Sequence, residues 1–180
     1  MLPPGHVAAG YLVAEGLLTA LKPQLSGAEL NQLVWWGMFF SFAPDLDNFL
    51  AFFKIRSFYY YRKDNTIHRQ FLTHVPVLWL LAGLSLYLFG PTLYVRYVGI
   101  MLWAGSWSHF ILDSLDYGVM WLWPFNREVW ALRGSGVKKQ IDVPGFLNYW
   151  LSFLKLYTTR LTFYAEIAIL VAAAVFYKLH

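Results

Sequence analysis

The stretch TLYVRYVGIMLWAGSWSHFILD, residues 92–113, decides how this chain folds. An α-helix needs about 20 mostly apolar residues to cross the hydrocarbon core of a bilayer, and this stretch is that long. It ends with two ionisable residues, His109 and Asp113. Because they are four positions apart, their side chains share one face of a helix and can bind one ion. The stretch predicts a membrane helix with a polar site at its end.

The whole chain has the composition of an integral membrane protein. Its 180 residues are 58% hydrophobic and 13% charged, whereas soluble domains are about 45–50% apolar and about 25% charged. Cysteine is absent, so disulfides, thiolate metal sites and a cysteine nucleophile are excluded. The formal charge of +4 is spread among apolar segments, so we expect contact with the lipid bilayer and none with nucleic acid. The length predicts a single domain, residues 1–180, and the N-terminus lacks the basic region of a signal peptide, so we expect it to be retained.

Other apolar segments repeat the pattern of residues 92–112. The predicted spans are residues 5–21, 29–43, 74–89, 92–112 and 161–177. Ser26 is the expected N-cap of the second span, Pro44 is expected to end that span, and the Gly90-Pro91 turn makes the third and fourth spans antiparallel neighbours. Two stretches rich in aromatic residues, 119–125 and 146–156, are too short to span. The sequence predicts an all-α, polytopic bundle of about five transmembrane helices with short interfacial or re-entrant helices.

The basic residues predict the orientation of this bundle. If residues 54–73 are cytoplasmic, alternation of the spans places eleven basic residues on that side: Lys54, Arg56, Arg62, Lys63, Arg69, Arg127, Arg133, Lys138, Lys139, Lys155 and Arg160. Three lie opposite, namely Lys22, Arg96 and Lys178. Cytoplasmic loops of membrane proteins carry such an excess. We therefore predict a multi-pass protein of the inner (cytoplasmic) membrane.

Ionisable residues gather at the span ends on that same side. They are His6, Asp45, Asp47, His68, His74, His109, Asp113 and Glu166. Imidazole and carboxylate ligands suit zinc, manganese or iron rather than calcium, and the size of the set allows one or two ions. Two ions about 3.5–4 Å apart would activate a water and hold a phosphoester. Taken singly, each residue has a simpler interpretation, since a histidine at a membrane edge is often structural and Asp45 with Asp47 could cap a helix end.

The residues in this order resemble the YdjM-like family of bacterial and archaeal membrane-bound proteins, which are described as metal-dependent hydrolases. The matching elements are Gly5-His6, Pro44-Asp45-Leu46-Asp47, His68-Arg69 with Thr73-His74, Ser108-His109-Phe110-Ile111-Leu112-Asp113, and Trp121-Leu122-Trp123-Pro124-Phe125. Gln70, Leu72 and Val75 depart from the family's commoner form around the two histidines. The order of histidines and aspartates is also similar to that of zinc-dependent phospholipase C enzymes, which implies phosphoester hydrolysis by analogy.

We therefore predict a metal-dependent hydrolase with its active site toward the cytoplasm and a phosphoester of a lipid or another amphiphile as substrate. Zinc is the expected metal, with manganese or iron as alternatives, and the expected ligands are His6, Asp45, Asp47, His68, His74, His109 and Asp113. Asp47 is expected to bridge metals or act as general base, Arg69 to pair with phosphate oxygens, and Glu166 to complete the ligand set or donate a proton.

Two other classes of protein stay open. The first is a non-enzymatic protein that binds or transports a metal ion. Transport predicts polar residues through the membrane midplane, and the chain between His74 and Ser106 has almost none. The second is a purely structural membrane protein. A zinc protease is disfavoured because the His-Glu-x-x-His element is missing.

Overall fold

The computed structural model describes residues 1–47, 71–133 and 145–179. These residues form six α-helices and no β-strand. The helices are α1 (Pro3–Leu21), α2 (Gly27–Phe42), α3 (Pro76–Phe89), α4 (Leu93–Asp113), α5 (Phe146–Tyr157) and α6 (Leu161–Leu179). A 3-10 turn, Ala43–Leu46, follows α2, and a second one, Leu72–His74, precedes α3. The prediction of an all-α protein is confirmed for the described residues.

The helix ends follow the local chemistry of the sequence. At the start of α2, the Ser26 hydroxyl accepts a hydrogen bond from the Glu29 amide (3.3 Å), and the Glu29 carboxylate accepts one from the Ser26 amide (2.8 Å). This reciprocal capping box satisfies two amides that the helix itself leaves without partners. The predicted cap at Ser26 is therefore confirmed. Pro44 ends α2 as predicted, and the chain continues as a 3-10 turn.

The stretch 119–125 differs from the prediction of a short interfacial helix. Its residues form turns, and Val119 pairs with Trp130 in an antiparallel bridge whose two backbone hydrogen bonds measure 2.9 and 3.0 Å. These bonds occupy the backbone groups that a helix would need, and Pro124 lacks an amide donor. The prediction of a helix is therefore wrong for this stretch, while its interfacial or re-entrant position stays a prediction. The other short stretch, 146–156, forms α5, and its interfacial position stays a prediction.

The helices pack closely because glycines line their contacts. Helices α1, α2 and α4 pack against one another, α3 packs on α4 as predicted, and α6 packs on α1. A Cβ atom added at Gly10 would lie 2.6 Å from the Gly37 carbonyl oxygen, and one added at Gly83 would lie 2.6 Å from the Gly99 carbonyl oxygen. Such close approach of helix backbones through small residues is typical of membrane helices.

Many polar residues are buried inside this bundle, and many large apolar residues are exposed on its outside. Histidine, aspartate and serine side chains are buried between the helices, whereas the buried hydrophobic cluster consists of Ala14, Leu33 and Met101. Exposed apolar side chains include Trp35, Leu81, Phe89 and Val171. A soluble bundle has the opposite distribution, because burial of apolar surface is what stabilises it in water.

Among the described residues, α6 is the one helix both long and apolar enough to cross a membrane. Its most apolar stretch is 11% buried, and the apolar α3 is shorter. The predicted boundaries of the five spans agree with α1, α2, α3, α4 and α6 within two residues. The length and composition of the helices therefore support one span directly, while the crossing of the membrane by the other helices stays a prediction.

Candidate metal centre

Imidazole and carboxylate groups meet where helix ends converge. They come from the first turn of α1, the 3-10 turn after α2, the turn before α3 and the last two turns of α4. The side chains are those of His6, Asp45, Asp47, His74, His109 and Asp113, and each residue is at most 9% exposed. Ionisable groups are rarely buried so fully unless they are paired or bind a metal. The cluster thus has the burial expected of a metal centre.

Asp45, His74 and His109 form a first group of three donors. The Nε2 atoms of the two histidines lie 3.4 Å apart. Asp45 Oδ1 lies 3.7 Å from His74 Nε2 and 3.8 Å from His109 Nε2. The three atoms therefore make a nearly equilateral triangle. In a tetrahedral zinc site with bonds of about 2.1 Å, adjacent ligand atoms lie about 3.4 Å apart, so the triangle has the size of one face of such a site.

His6, His109 and Asp113 form a second group, with one donor atom from each within 4.8 Å of the others. His6 Nε2 lies 3.4 Å from Asp113 Oδ1, and the rings of His6 and His109 stack with centroids 3.9 Å apart. Asp113 Oδ1 also accepts a hydrogen bond from the Met1 amine at 2.7 Å. Both ring nitrogens of His6 are buried without a hydrogen-bond partner among the described residues. A buried imidazole in this state lacks the interactions that normally compensate its desolvation.

Hydrogen bonds orient two of the imidazole rings. His109 Nδ1 lies 2.9 Å from the Ser41 carbonyl oxygen, which can only accept, so Nδ1 carries the proton and the lone pair of the neutral ring is on Nε2. His74 Nδ1 lies 2.7 Å from Asp47 Oδ2. The Thr73 hydroxyl donates to the same Asp47 oxygen at 2.6 Å. Metal-binding histidines characteristically have such partners, which fix the ring and direct the other nitrogen toward the ion.

His109 belongs to both groups of donors. Because its Nδ1 is held by Ser41, only Nε2 is available as a ligand, and its single lone pair can bind one ion at a time. Since His109 is a member of both groups, its removal would take a ligand from each of them, whereas removal of Asp45 would take a ligand from one group only. His109 and Asp113 lie in one group as their spacing indicated, with Nε2 and Oδ2 3.8 Å apart.

Glu166 lies beside the centre and outside both groups of donors. Its carboxylate accepts hydrogen bonds from the Gly5 amide at 3.1 Å and from the Tyr157 hydroxyl. Burial and the hydrogen bond to Glu166 raise the pKa of Tyr157, so this phenol stays protonated as the donor. Glu166 thus holds α5 and the residue that precedes His6. Its predicted role as proton donor stays a prediction.

Asp116 contacts another part of the same end of the bundle. Its Oδ2 accepts a hydrogen bond of 2.8 Å from the Thr162 amide in the first turn of α6. A carboxylate at a helix N-terminus satisfies a free amide and interacts favourably with the helix dipole. Asp116 therefore caps α6 from a position 46 residues earlier in the chain, and it belongs to neither group of donors.

The two remaining predicted site residues, His68 and Arg69, lie outside the described residues. Sequence reasoning missed three contributors: the Ser41 carbonyl, Thr73 and Tyr157. A backbone carbonyl leaves no signal in a sequence. Thr73 lies in the Thr73-His74 element, and its position next to His74 is the signal that a sequence offers for its role. Nothing in the sequence distinguishes Tyr157 from the many other aromatic residues near it in the chain.

The donor set fits a metal ion. Each group consists of two histidines and one aspartate, and three protein ligands with one open position are typical of catalytic zinc sites. Nitrogen and oxygen ligands of this kind also suit iron and manganese. The uncompensated ring nitrogens of His6 are independent support, because a metal bond would satisfy one of them.

The fold and site together define a helical protein with a buried histidine–aspartate cluster that could hold a metal ion. Residues 1–179 match the family model described as YdjM inner membrane protein. The chain therefore belongs to this family of inner membrane proteins, and the resemblance inferred from its motifs is confirmed. No curated protein and no solved structure matches the chain at a significant level.

Proposed function

We propose that this protein is a metal-dependent hydrolase of the inner membrane, with its centre at the cytoplasmic side and a phosphoester of a lipid or another amphiphile as substrate. The observation that carries the proposal is the triangle of Asp45, His74 and His109, with edges of 3.4–3.8 Å. Its three buried donors are spaced for one zinc ion and leave room for a further ligand.

A multi-pass arrangement is supported by the burial pattern of the bundle. Apolar side chains that face outward on α2, α3 and α6 would be unfavourable in water and favourable against acyl chains. At 1.5 Å per residue, α1, α4 and α6 are about 28–32 Å long, close to the hydrocarbon thickness. The shorter α2 ends at the polar centre, and the shorter α3 begins there. Irregular backbone next to a shortened span is tolerated at membrane depth when it is buried in protein.

The cytoplasmic placement of the centre is supported by the distribution of basic residues. Lys22 follows α1, Arg96 lies in the first turn of α4 and Lys178 lies in the last turn of α6, so these three are at the end of the bundle opposite the centre. Four described members of the larger set lie at the end that holds the centre: Arg127 and Arg133 between α4 and α5, Lys155 in the last turn of α5, and Arg160 just before α6. An excess of lysine and arginine marks the cytoplasmic side.

The chain's own residues have distinct roles in the proposed centre. Asp45, His74 and His109 would hold the ion, and His6 and Asp113 would complete the set or hold a second ion. A bound divalent metal lowers the pKa of water and polarises a phosphoryl oxygen. Asp47 orients His74 through the hydrogen bond to Nδ1, and it remains our candidate for the general base. Arg69 would pair with phosphate oxygens through its forked donors.

Metal binding is the first test. Purified protein should contain zinc, manganese or iron in a stoichiometric amount, measured as metal per protein chain by mass spectrometry. His109→Ala should abolish this bound metal, because His109 is shared by both groups. Asp116→Asn is the matched control, since Asp116 is a buried carboxylate that contacts Thr162 instead of the donors. Metal content in His109→Ala equal to that of Asp116→Asn would refute the centre.

Hydrolysis is the second test. The metal-loaded protein in mixed micelles should release water-soluble phosphate or phosphorylated headgroup from a panel of phospholipids and lipid phosphates. The release should be lost in Asp45→Asn and preserved in Asp116→Asn. A protein that binds metal stoichiometrically and cleaves no member of the panel would instead be a metal-binding protein, and the hydrolase proposal would be wrong.

A further inference from the structure

Helix α5 has three distinct sides. Tyr149 and Tyr157, eight residues apart, are buried and mark the side that faces the protein. A leucine stripe, defined as Leu147, Leu151 and Leu154, is 72%, 64% and 45% exposed. These residues follow the i, i+4, i+7 spacing that places side chains on one face of a helix. The exposed surface of α5 is therefore apolar along one line.

A polar stripe runs beside the leucine stripe. It is defined as Asn148, Ser152 and Lys155, each one position after a leucine of the first stripe. One residue corresponds to a rotation of about 100° around the helix axis. The outward surface of α5 is thus divided along its length into an apolar line and a polar line, and the helix contains no acidic residue. A helix that lies in the plane of a membrane interface has this division.

The neighbouring helix fixes where α5 must lie. Three residues, Thr158 to Arg160, connect the end of α5 to the start of α6. Three residues extend at most about 11 Å, and the connection is tightly turned, with hydrogen bonds from the Thr158 amide to Leu154 and from the Arg160 amide to Tyr157. Because α6 is long and apolar enough to cross the membrane, α5 cannot lie far from the point where α6 enters it.

We propose that α5 is a membrane-surface helix whose leucine stripe inserts at the boundary between the lipid headgroups and acyl chains. Its polar stripe then faces the headgroups, and Lys155 and Arg160 lie where they meet lipid phosphates. The bilayer is the occupant of this surface because α6 brings it there. The Tyr157 hydroxyl, which donates to Glu166, connects the buried side of α5 to the segment that carries His6. The helix would thus place the membrane surface next to the candidate metal centre.

The test uses the absence of cysteine from the natural sequence. Single cysteines at Leu147→Cys, Leu151→Cys and Leu154→Cys report on the leucine stripe, and Asn148→Cys and Lys155→Cys report on the polar stripe. Each carries a nitroxide spin label in the full chain, reconstituted in vesicles of phosphatidylethanolamine and phosphatidylglycerol. These five sites are exposed, so the label leaves the buried side of α5 in place. Val171→Cys, an exposed position within α6, is the reference for a deep position.

Labels in the leucine stripe should be relaxed more by oxygen than by a water-soluble nickel complex, with depths of about 5–10 Å below the headgroups. Labels in the polar stripe should show the reverse, and the label at position 171 should be deeper than all five. Equal relaxation of both stripes by the nickel complex would place α5 in water and overturn the proposal. Shielding of the leucine stripe from both agents, with broadening between labels, would mean that a second copy of the chain covers it, and this would also overturn the proposal. The measurement needs no metal or hydrolysis, so it is independent of the proposed function.

Discussion

Asp47→Asn tests whether this carboxylate orients a metal ligand or binds the metal itself. Asp47 Oδ2 accepts two short hydrogen bonds, from His74 Nδ1 at 2.7 Å and from the Thr73 hydroxyl at 2.6 Å. Asparagine keeps the shape of the side chain, but it removes the negative charge and half of the acceptor capacity. Loss of a carboxylate that orients a metal-bound histidine typically weakens metal binding about 10–100-fold, or about 1.4–2.8 kcal/mol.

The assay is a zinc titration of the purified, chelator-treated protein against a competing metal indicator. Asp47→Asn should raise the zinc Kd about 10–100-fold. Asp45→Asn should raise it further, because Asp45 Oδ1 belongs to the donor triangle, and Asp116→Asn should leave it unchanged. A Kd for Asp47→Asn within about twofold of the parent would refute the orienting role. A loss as large as that of Asp45→Asn would show that Asp47 contacts the ion, which is the role that the sequence predicted.

The remaining predictions concern the shared donor, the helix contacts and the hydrogen bonds of Glu166. His109→Ala should remove more bound metal than Asp45→Ala by metal analysis, because only His109 belongs to both groups; equal losses would contradict the shared donor. Gly83→Ala should destabilise the protein by about 1–3 kcal/mol in a thermal melt, because the new methyl lies 2.6 Å from the Gly99 carbonyl oxygen. Gly16→Ala, whose methyl meets nothing within 4 Å, is its control, and a loss equal to that of Gly83→Ala would contradict the close contact. Tyr157→Phe should cost about 1.5–3 kcal/mol, since it removes a donor to the buried carboxylate of Glu166; an unchanged melting temperature would exclude this contribution.

Much of the helical architecture was predictable because it depends on local chemistry. The apolar run 92–112 predicts α4 within one residue, and Ser26 with Glu29 forms the capping box at which α2 begins. These features depend on neighbours within a few positions. The same local reasoning gave a wrong prediction of a helix for residues 119–125, because the backbone of Val119 forms its hydrogen bonds with Trp130, eleven residues away. A short aromatic stretch carries no signal for such a partner.

The membership of the candidate site was more predictable than the role of each member. Alternation of the spans places the ionisable clusters at one end of the bundle, and this follows from the spacing of apolar runs alone. The distinction between Asp45 and Asp47 does not follow from spacing. Both flank Leu46 in one short motif, yet Asp45 Oδ1 joins the donor triangle while Asp47 Oδ2 contacts His74 Nδ1. The rotation of a 3-10 turn by about 120° per residue separates them.

The sequence by itself determined that this chain is helical, that it is too apolar for an ordinary soluble domain, and that the histidines and aspartates of the candidate centre lie at the ends of apolar helices. These properties depend on composition and on periodicity, which are local. Only the tertiary structure decided that His109 is shared by two groups of donors, that Ser41 and Asp47 orient the imidazoles, and that Glu166 holds Gly5 and Tyr157. These contacts join residues up to 161 positions apart in the chain. Their geometry is set by how closely the glycine-lined helices approach, and the order of residues does not encode such distances directly.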